Sequence, residues 1–168
     1  SLLLAISLIA LLMAWMFSSS RMVVVSLLPN LIPLILTGAL MGYFNISIKP
    51  STILVFSIAF GISIDDTIHF LAKYRQELKS NHWNIRVAVI KALKETGVSM
   101  FYTSIVLFFG FSIFIASEFG GTVALGLLIS VTLLFAMMAN LLLLPSMLLS
   151  LERTITTRSF REPLIDIL

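Results

Sequence analysis

The residues with chemistry to offer lie in Gly61-Ile62-Ser63-Ile64-Asp65-Asp66-Thr67-Ile68-His69-Phe70. Two adjacent carboxylates and an imidazole there interrupt a run otherwise apolar enough to cross a membrane. From Ser51 to Ala72 the ionisable side chains are Asp65, Asp66 and His69. An acid at the centre of a bilayer costs about 2.5–3.5 kcal/mol even on the lenient insertion scale, and such acids mark ion and proton pathways. Two neighbouring carboxylates in a low dielectric do not both ionise cheaply, because burial penalises each charge and the first opposes the second. A pair of this kind is suited to hold one proton, take it up from one side and release it to the other when its solvation changes.

Helical spacing sharpens this expectation. Ile62, Asp65, Asp66, His69 and Lys73 follow the i, i+3, i+4, i+7 pattern that gathers residues on one face. Ser57 and Gly61, four apart, would let another helix approach the backbone closely. Asp65 is seven residues before the polar end of its apolar run, about 10 Å deep at ~1.5 Å per residue. Counting to the same depth in the later runs reaches Tyr102, Thr103 and Ser104, and then Asn140. These four, with His69, are the candidate relay or hydrogen-bond partners of the acids. No Lys or Arg falls inside an apolar run, so a buried salt bridge from within the chain is not expected to neutralise the pair.

The elements that must hold these residues are membrane helices. Of 168 residues, 59% are hydrophobic and 11% charged, and the mean hydropathy is +1.08. Soluble domains average roughly 45–50% apolar and about 25% charged. The expected fold class is an all-α integral membrane protein with five crossings at about 1–17, 22–44, 51–72, 98–117 and 123–151. The transmembrane domain is thus 1–151, followed by a tail over 152–168. Asn84 is a plausible N-cap for an amphipathic interfacial helix at about 84–96, and Gly97 reads as the break before the fourth crossing. Pro29 and Pro33 predict a kink or local opening in the second run, and Pro50 suits the first turn of the third. The first run is short for the ~20 residues a crossing needs, so the chain is expected to be a fragment of a longer protein.

Of the 11 Lys and Arg, all but Lys49 fall in Arg21, the 73–94 stretch and the tail. By the positive-inside rule those segments are cytoplasmic, the N-terminus is extracytoplasmic and the C-terminus cytoplasmic. The formal charge of +3 is explained by this topology, and no nucleic-acid partner is expected. Cysteine is absent, which removes disulfides and thiolate metal sites. Two acids and one histidine are too few ligands for a metal, no nucleophile motif accompanies them, and no glycine-rich phosphate loop occurs. Neither metal, cofactor nor enzymatic activity is expected.

The series Gly61 to Arg75, then Ala88 to Gly97, Thr103-Ser104 with Gly110-Phe111, and Leu144-Pro145, resembles the resistance-nodulation-division superfamily. The closest branch is that of the MMPL and Patched-like exporters, related to sterol-sensing domains. The resemblance implies a half-transporter bundle in which this chain supplies five of six helices. A first helix and a large extracytoplasmic porter domain would precede them. It also implies that Asp65 and Asp66 carry proton coupling for the export of lipid or other hydrophobic substrates, in a bacterial inner membrane. The partners implied are membrane lipids, the substrate, the other half and porter domain of the same protein, and further copies of itself. Drug-efflux members continue differently after the Asp-Asp pair, and mycobacterial members often have Asp-Tyr. The expected function is therefore the membrane half of a proton-driven exporter, here taken as the C-terminal half. The alternative is a sterol-sensing-type lipid-binding or regulatory module without transport.

Overall fold

The computed structural model describes residues 20–155, together with Ser7 and Leu11, which are both helical. The expected first crossing at about 1–17 and most of the tail lie outside the described residues. Five α-helices follow in order: α1 Ser20–Tyr43, α2 Pro50–Ser80, α3 Ile85–Ser112, α4 Gly120–Met138 and α5 Leu144–Ile155. A 3₁₀ turn, Ile113–Ala116, closes α3, and a π-helical turn, Ala139–Leu143, joins α4 to α5 without interrupting the rod. The described residues contain four stretches long and apolar enough to cross a membrane: Val23–Tyr43, Thr52–Ser80, Ile85–Ala116 and Gly120–Ser150.

Local sequence explains the helix ends. Pro50 opens α2 at a position where its missing N–H costs nothing. The Lys49 N–H there donates to Thr52 Oγ1 at 2.8 Å. Asn84 caps α3, its side chain accepting from the Val87 N–H at 3.1 Å. Helix α1 ends in a Schellman turn: the Ile46 N–H reaches the Met41 carbonyl at 2.9 Å, and Asn45 takes φ 52°. The same device closes α2, where the Trp83 N–H reaches the Leu78 carbonyl at 3.0 Å. His82 and Trp83 both carry positive φ there, at 51° and 65°.

One sequence expectation is corrected. Helix α3 runs unbroken through Gly97, so the interfacial helix expected at about 84–96 and the crossing expected at 98–117 form one element. Gly97 is a packing point, because a Cβ there would lie 3.2 Å from Leu93 Cδ1 and 3.4 Å from Leu141 Cδ2. A break at that spot would leave buried peptide groups unpaired, which costs more than the ~1 kcal/mol of glycine in a helix. Helix α1 stays helical through Pro29 and Pro33. Side chains supplement its ladder: the Thr37 hydroxyl donates to the Pro33 carbonyl at 2.9 Å, and the Asn30 amide to the Ser26 carbonyl at 2.6 Å.

The core has two parts. Phe60, Phe70, Leu71, Ala88, Val89, Leu144 and Leu148 pack α2, α3 and α5 together with Val25 and Leu34 of α1. Met41, Val55, Leu128, Ile129 and Leu133 pack α1, α2 and α4 at the other end. The α3–α4 hairpin is tight: a Cβ on Gly126 would lie 2.6 Å from Phe114 Cβ and 2.7 Å from the Phe111 carbonyl oxygen.

Candidate functional site

Helix α2 turns about 100° per residue, so Ser63 and Thr67 share one face and Asp65 stands diametrically opposite their mean direction. Asp66 falls on the flank between them. Burial follows this geometry: Ser63 and Thr67 are 2% and 0% exposed, Asp66 is intermediate, and the Asp65 and His69 side chains are 70% and 73% exposed. His69 Nε2 lies 3.7 Å from Asp65 Oδ1, one turn away on the same face. Ser57 and Gly61 continue this outward face, and a Cβ on Gly61 would meet nothing within 4 Å. The stripe Ser57, Gly61, Asp65, His69 is thus the open side of α2 among the described residues.

The inner face is held by a ring of hydrogen bonds. The Ser63 hydroxyl donates to Asn30 Oδ1, and Asn30 Nδ2 donates to Thr67 Oγ1 at 2.8 Å. The Thr67 hydroxyl donates to Asn140 Oδ1 at 3.0 Å, and Asn140 Nδ2 returns to Ser63 Oγ at 3.3 Å. Each hydroxyl gives one hydrogen and takes one. The spare amide hydrogens also find acceptors, from Asn30 to the Ser26 carbonyl at 2.6 Å and from Asn140 to the Ser63 carbonyl at 3.1 Å. Because a carbonyl only accepts, these two bonds fix which amide atom is nitrogen; the Thr67 hydrogen also has the Ser63 carbonyl at 3.1 Å and Asn30 Oδ1 at 3.2 Å within reach, and the ring closes when it turns to Asn140. Asn140 reaches in from the π turn, where the Leu144 N–H bonds back five residues to the Ala139 carbonyl. Pro145 follows directly; its ring would crowd the Leu141 carbonyl in a regular helix, and the wider turn relieves that.

The other candidates are placed as follows. Thr103 donates to its own helix, to the Ser99 and Met100 carbonyls at 3.0 Å each. Tyr102 is exposed and lies edge-on to Phe101, and Ser104 is buried. Among the described residues none of these three hydrogen-bonds either aspartate. Asn140 bonds the residues flanking the acids, Ser63 and Thr67, and not the acids themselves. Lys73, the nearest cation along α2, bonds Glu77 at 3.1 Å and Glu95 at 2.6 Å, joining α2 to α3 at their polar ends. No three metal-binding side chains converge among the described residues. Sequence reasoning missed Asn30, Ser63 and Thr67. Their signal was present: an asparagine framed by two prolines in an apolar run, and two hydroxyls at i, i+4 bracketing the acids.

A family model described as MMPL family matches residues 1–162. The chain belongs to the MMPL family. This MMPL chain is also 30% identical over 132 residues to a protein of Methanocaldococcus jannaschii, MJ1562, whose name points to the membrane and gives no activity. The match covers 79% of the MMPL chain and 34% of that relative, so the chain spans about a third of the relative's length. No solved structure matches significantly. Family and helices together make it an integral membrane protein of the MMPL type.

Proposed function

We propose that this chain is the membrane half of a proton-driven exporter of lipids or other hydrophobic molecules, with Asp65 and Asp66 as its proton-exchanging pair. One observation carries the reading: Asp65 stands on the outward face of a membrane-length helix, in line with Ser57, Gly61 and His69. A carboxylate facing lipid tails is costly, and small residues with nothing against them suit a close helix contact. Both features are accounted for if that face packs against the other half of the transporter, leaving the acids between halves. The relative's greater length leaves room for such a half. In this reading the polar 73–95 segment lies on the cytoplasmic side of the cell membrane, and His69 passes protons between Asp65 and that side.

The test is proton movement in the full-length protein. It is reconstituted in vesicles of native polar lipid with pyranine trapped inside, and a pH gradient is imposed. Asp65→Asn and Asp66→Asn keep size and hydrogen bonding but remove ionisation. Each is expected to lower proton flux at least tenfold with the thermal unfolding midpoint unchanged. Flux equal to wild type in both variants and in the double variant overturns the proposal and favours a sterol-sensing-type lipid-binding or regulatory module.

A further inference from the structure

We infer that Asn30, Ser63, Thr67 and Asn140 act as a rotational lock on α2. They are positioning residues that hold the Asp65–Asp66 pair on its outward face and make α1, α2 and the π turn move as one body. The inference rests on the proton-coupling reading above for its consequence, and on geometry for its existence.

With the Thr67 hydrogen on Asn140 the ring closes in one direction, and it lies on the side of α2 opposite Asp65. Its members are each at most 2% exposed, so water does not compete for their bonds. Three elements each contribute from a point suited to hold a rotation. Asn30 sits between the prolines of α1, Ser63 and Thr67 bracket the acids on α2, and Asn140 sits in the π turn before Pro145. Apolar packing is nearly indifferent to a helix turning by a few tens of degrees, because one aliphatic contact replaces another. A directional ring is not, because a turn of one residue, about 100°, would carry both hydroxyls away from both amides and present Asp65 elsewhere. Helix α3 has no member in the ring.

The test uses the full-length protein, with any other cysteine replaced, and does not depend on transport alone. Ala59 lies on the ring's side of α2, 1% exposed, and as Ala59→Cys it reports on the turning of that helix by its rate of reaction with N-ethylmaleimide. Ser63→Ala and Thr67→Val are each expected to speed labelling at least tenfold, and Thr67→Ser to leave it unchanged. Leu148→Cys on α5, also 1% exposed, is expected to stay protected throughout, which separates turning from general loosening. A thiol at position 59 that stays protected in every ring variant, or one at position 148 exposed alongside it, overturns the lock. Proton flux in pyranine vesicles, per folded protein, is expected to fall at least tenfold in Ser63→Ala and to stay within twofold in Thr67→Ser. Flux within twofold of wild type in Ser63→Ala, with the position-59 thiol exposed, overturns the positioning role. If Asp65→Asn and Asp66→Asn leave flux unchanged, it is the proton-coupling reading that fails, and the labelling rates decide the lock.

Discussion

Thr67→Val exchanges a hydroxyl for a methyl at nearly constant volume, and the ring makes its cost calculable. The Thr67 hydroxyl accepts from Asn30 Nδ2 at 2.8 Å and donates to Asn140 Oδ1 at 3.0 Å. Valine leaves one amide hydrogen and one carbonyl oxygen without partners. Asn30 does not turn to repair the loss, because its other hydrogen is engaged with the Ser26 carbonyl at 2.6 Å. A buried orphan costs about 1–3 kcal/mol, while interhelical bonds in membranes average nearer ~0.6 kcal/mol. Two orphans therefore place Thr67→Val at about 2–4 kcal/mol. Ser63→Ala also removes one hydroxyl and strands the same kinds of atom. Asn140 Nδ2 keeps the Ser63 carbonyl at 3.1 Å with one hydrogen but loses Ser63 Oγ, at 3.3 Å, for the other, and the single Thr67 hydrogen cannot serve Asn140 Oδ1 and Asn30 Oδ1 at once. Its expected cost is likewise about 2–4 kcal/mol. The assay is reversible unfolding of purified protein in mixed micelles titrated with a denaturing detergent. A Thr67→Val or a Ser63→Ala variant as stable as the wild type refutes the ring as the structure draws it.

Gly126→Ala places a methyl 2.6 Å from Phe114 Cβ and 2.7 Å from the Phe111 carbonyl oxygen, so a loss of about 1–3 kcal/mol in the same assay is expected. Gly61→Ala meets no atom within 4 Å and should gain about 0.5–1 kcal/mol as a helical glycine replaced, while lowering proton flux if another helix packs on that face. His82→Gly relieves a left-handed backbone at φ 51°, which costs other residues roughly 1–2 kcal/mol; a rise in the unfolding midpoint is expected, and no rise counts against strain at that turn.

The four membrane-length helices among the described residues were legible because apolar runs are a one-dimensional signal. Pro50 and Asn84 mark their helix starts by local chemistry, and both helices begin there. That residues 65 and 69 share a face was legible from spacing, since they are one turn apart; that this face points away from the described helices was not, and it leaves Asp65 70% exposed instead of among Tyr102, Thr103, Ser104 and Asn140. Gly97 misled because a glycine reads the same in sequence whether it ends a helix or admits a neighbour; Leu141, more than forty residues away, decides between them. The ring was illegible for a similar reason. Asn30 and Thr67 meet across 37 positions and Thr67 and Asn140 across 73, and no local pattern encodes which helices touch. The π turn shows only as Pro145 four residues after Leu141, a spacing equally compatible with a plain kink.

The unbroken α3 has a mechanical corollary. It bears on Leu141 at Gly97, 12 residues from Ile85 and 15 from Ser112, or about 18 and 22 Å along the axis. Near one end Ala88, Val89 and Ala92 are held in the core, and at the other Gly126 presses on Phe111 and Phe114, so the helix is gripped along its length and has no joint at which to flex. What happens at the charged shore of the membrane would then be carried along a stiff rod to the far one, and paired spin labels at residues 86 and 113 would read it as a fixed separation.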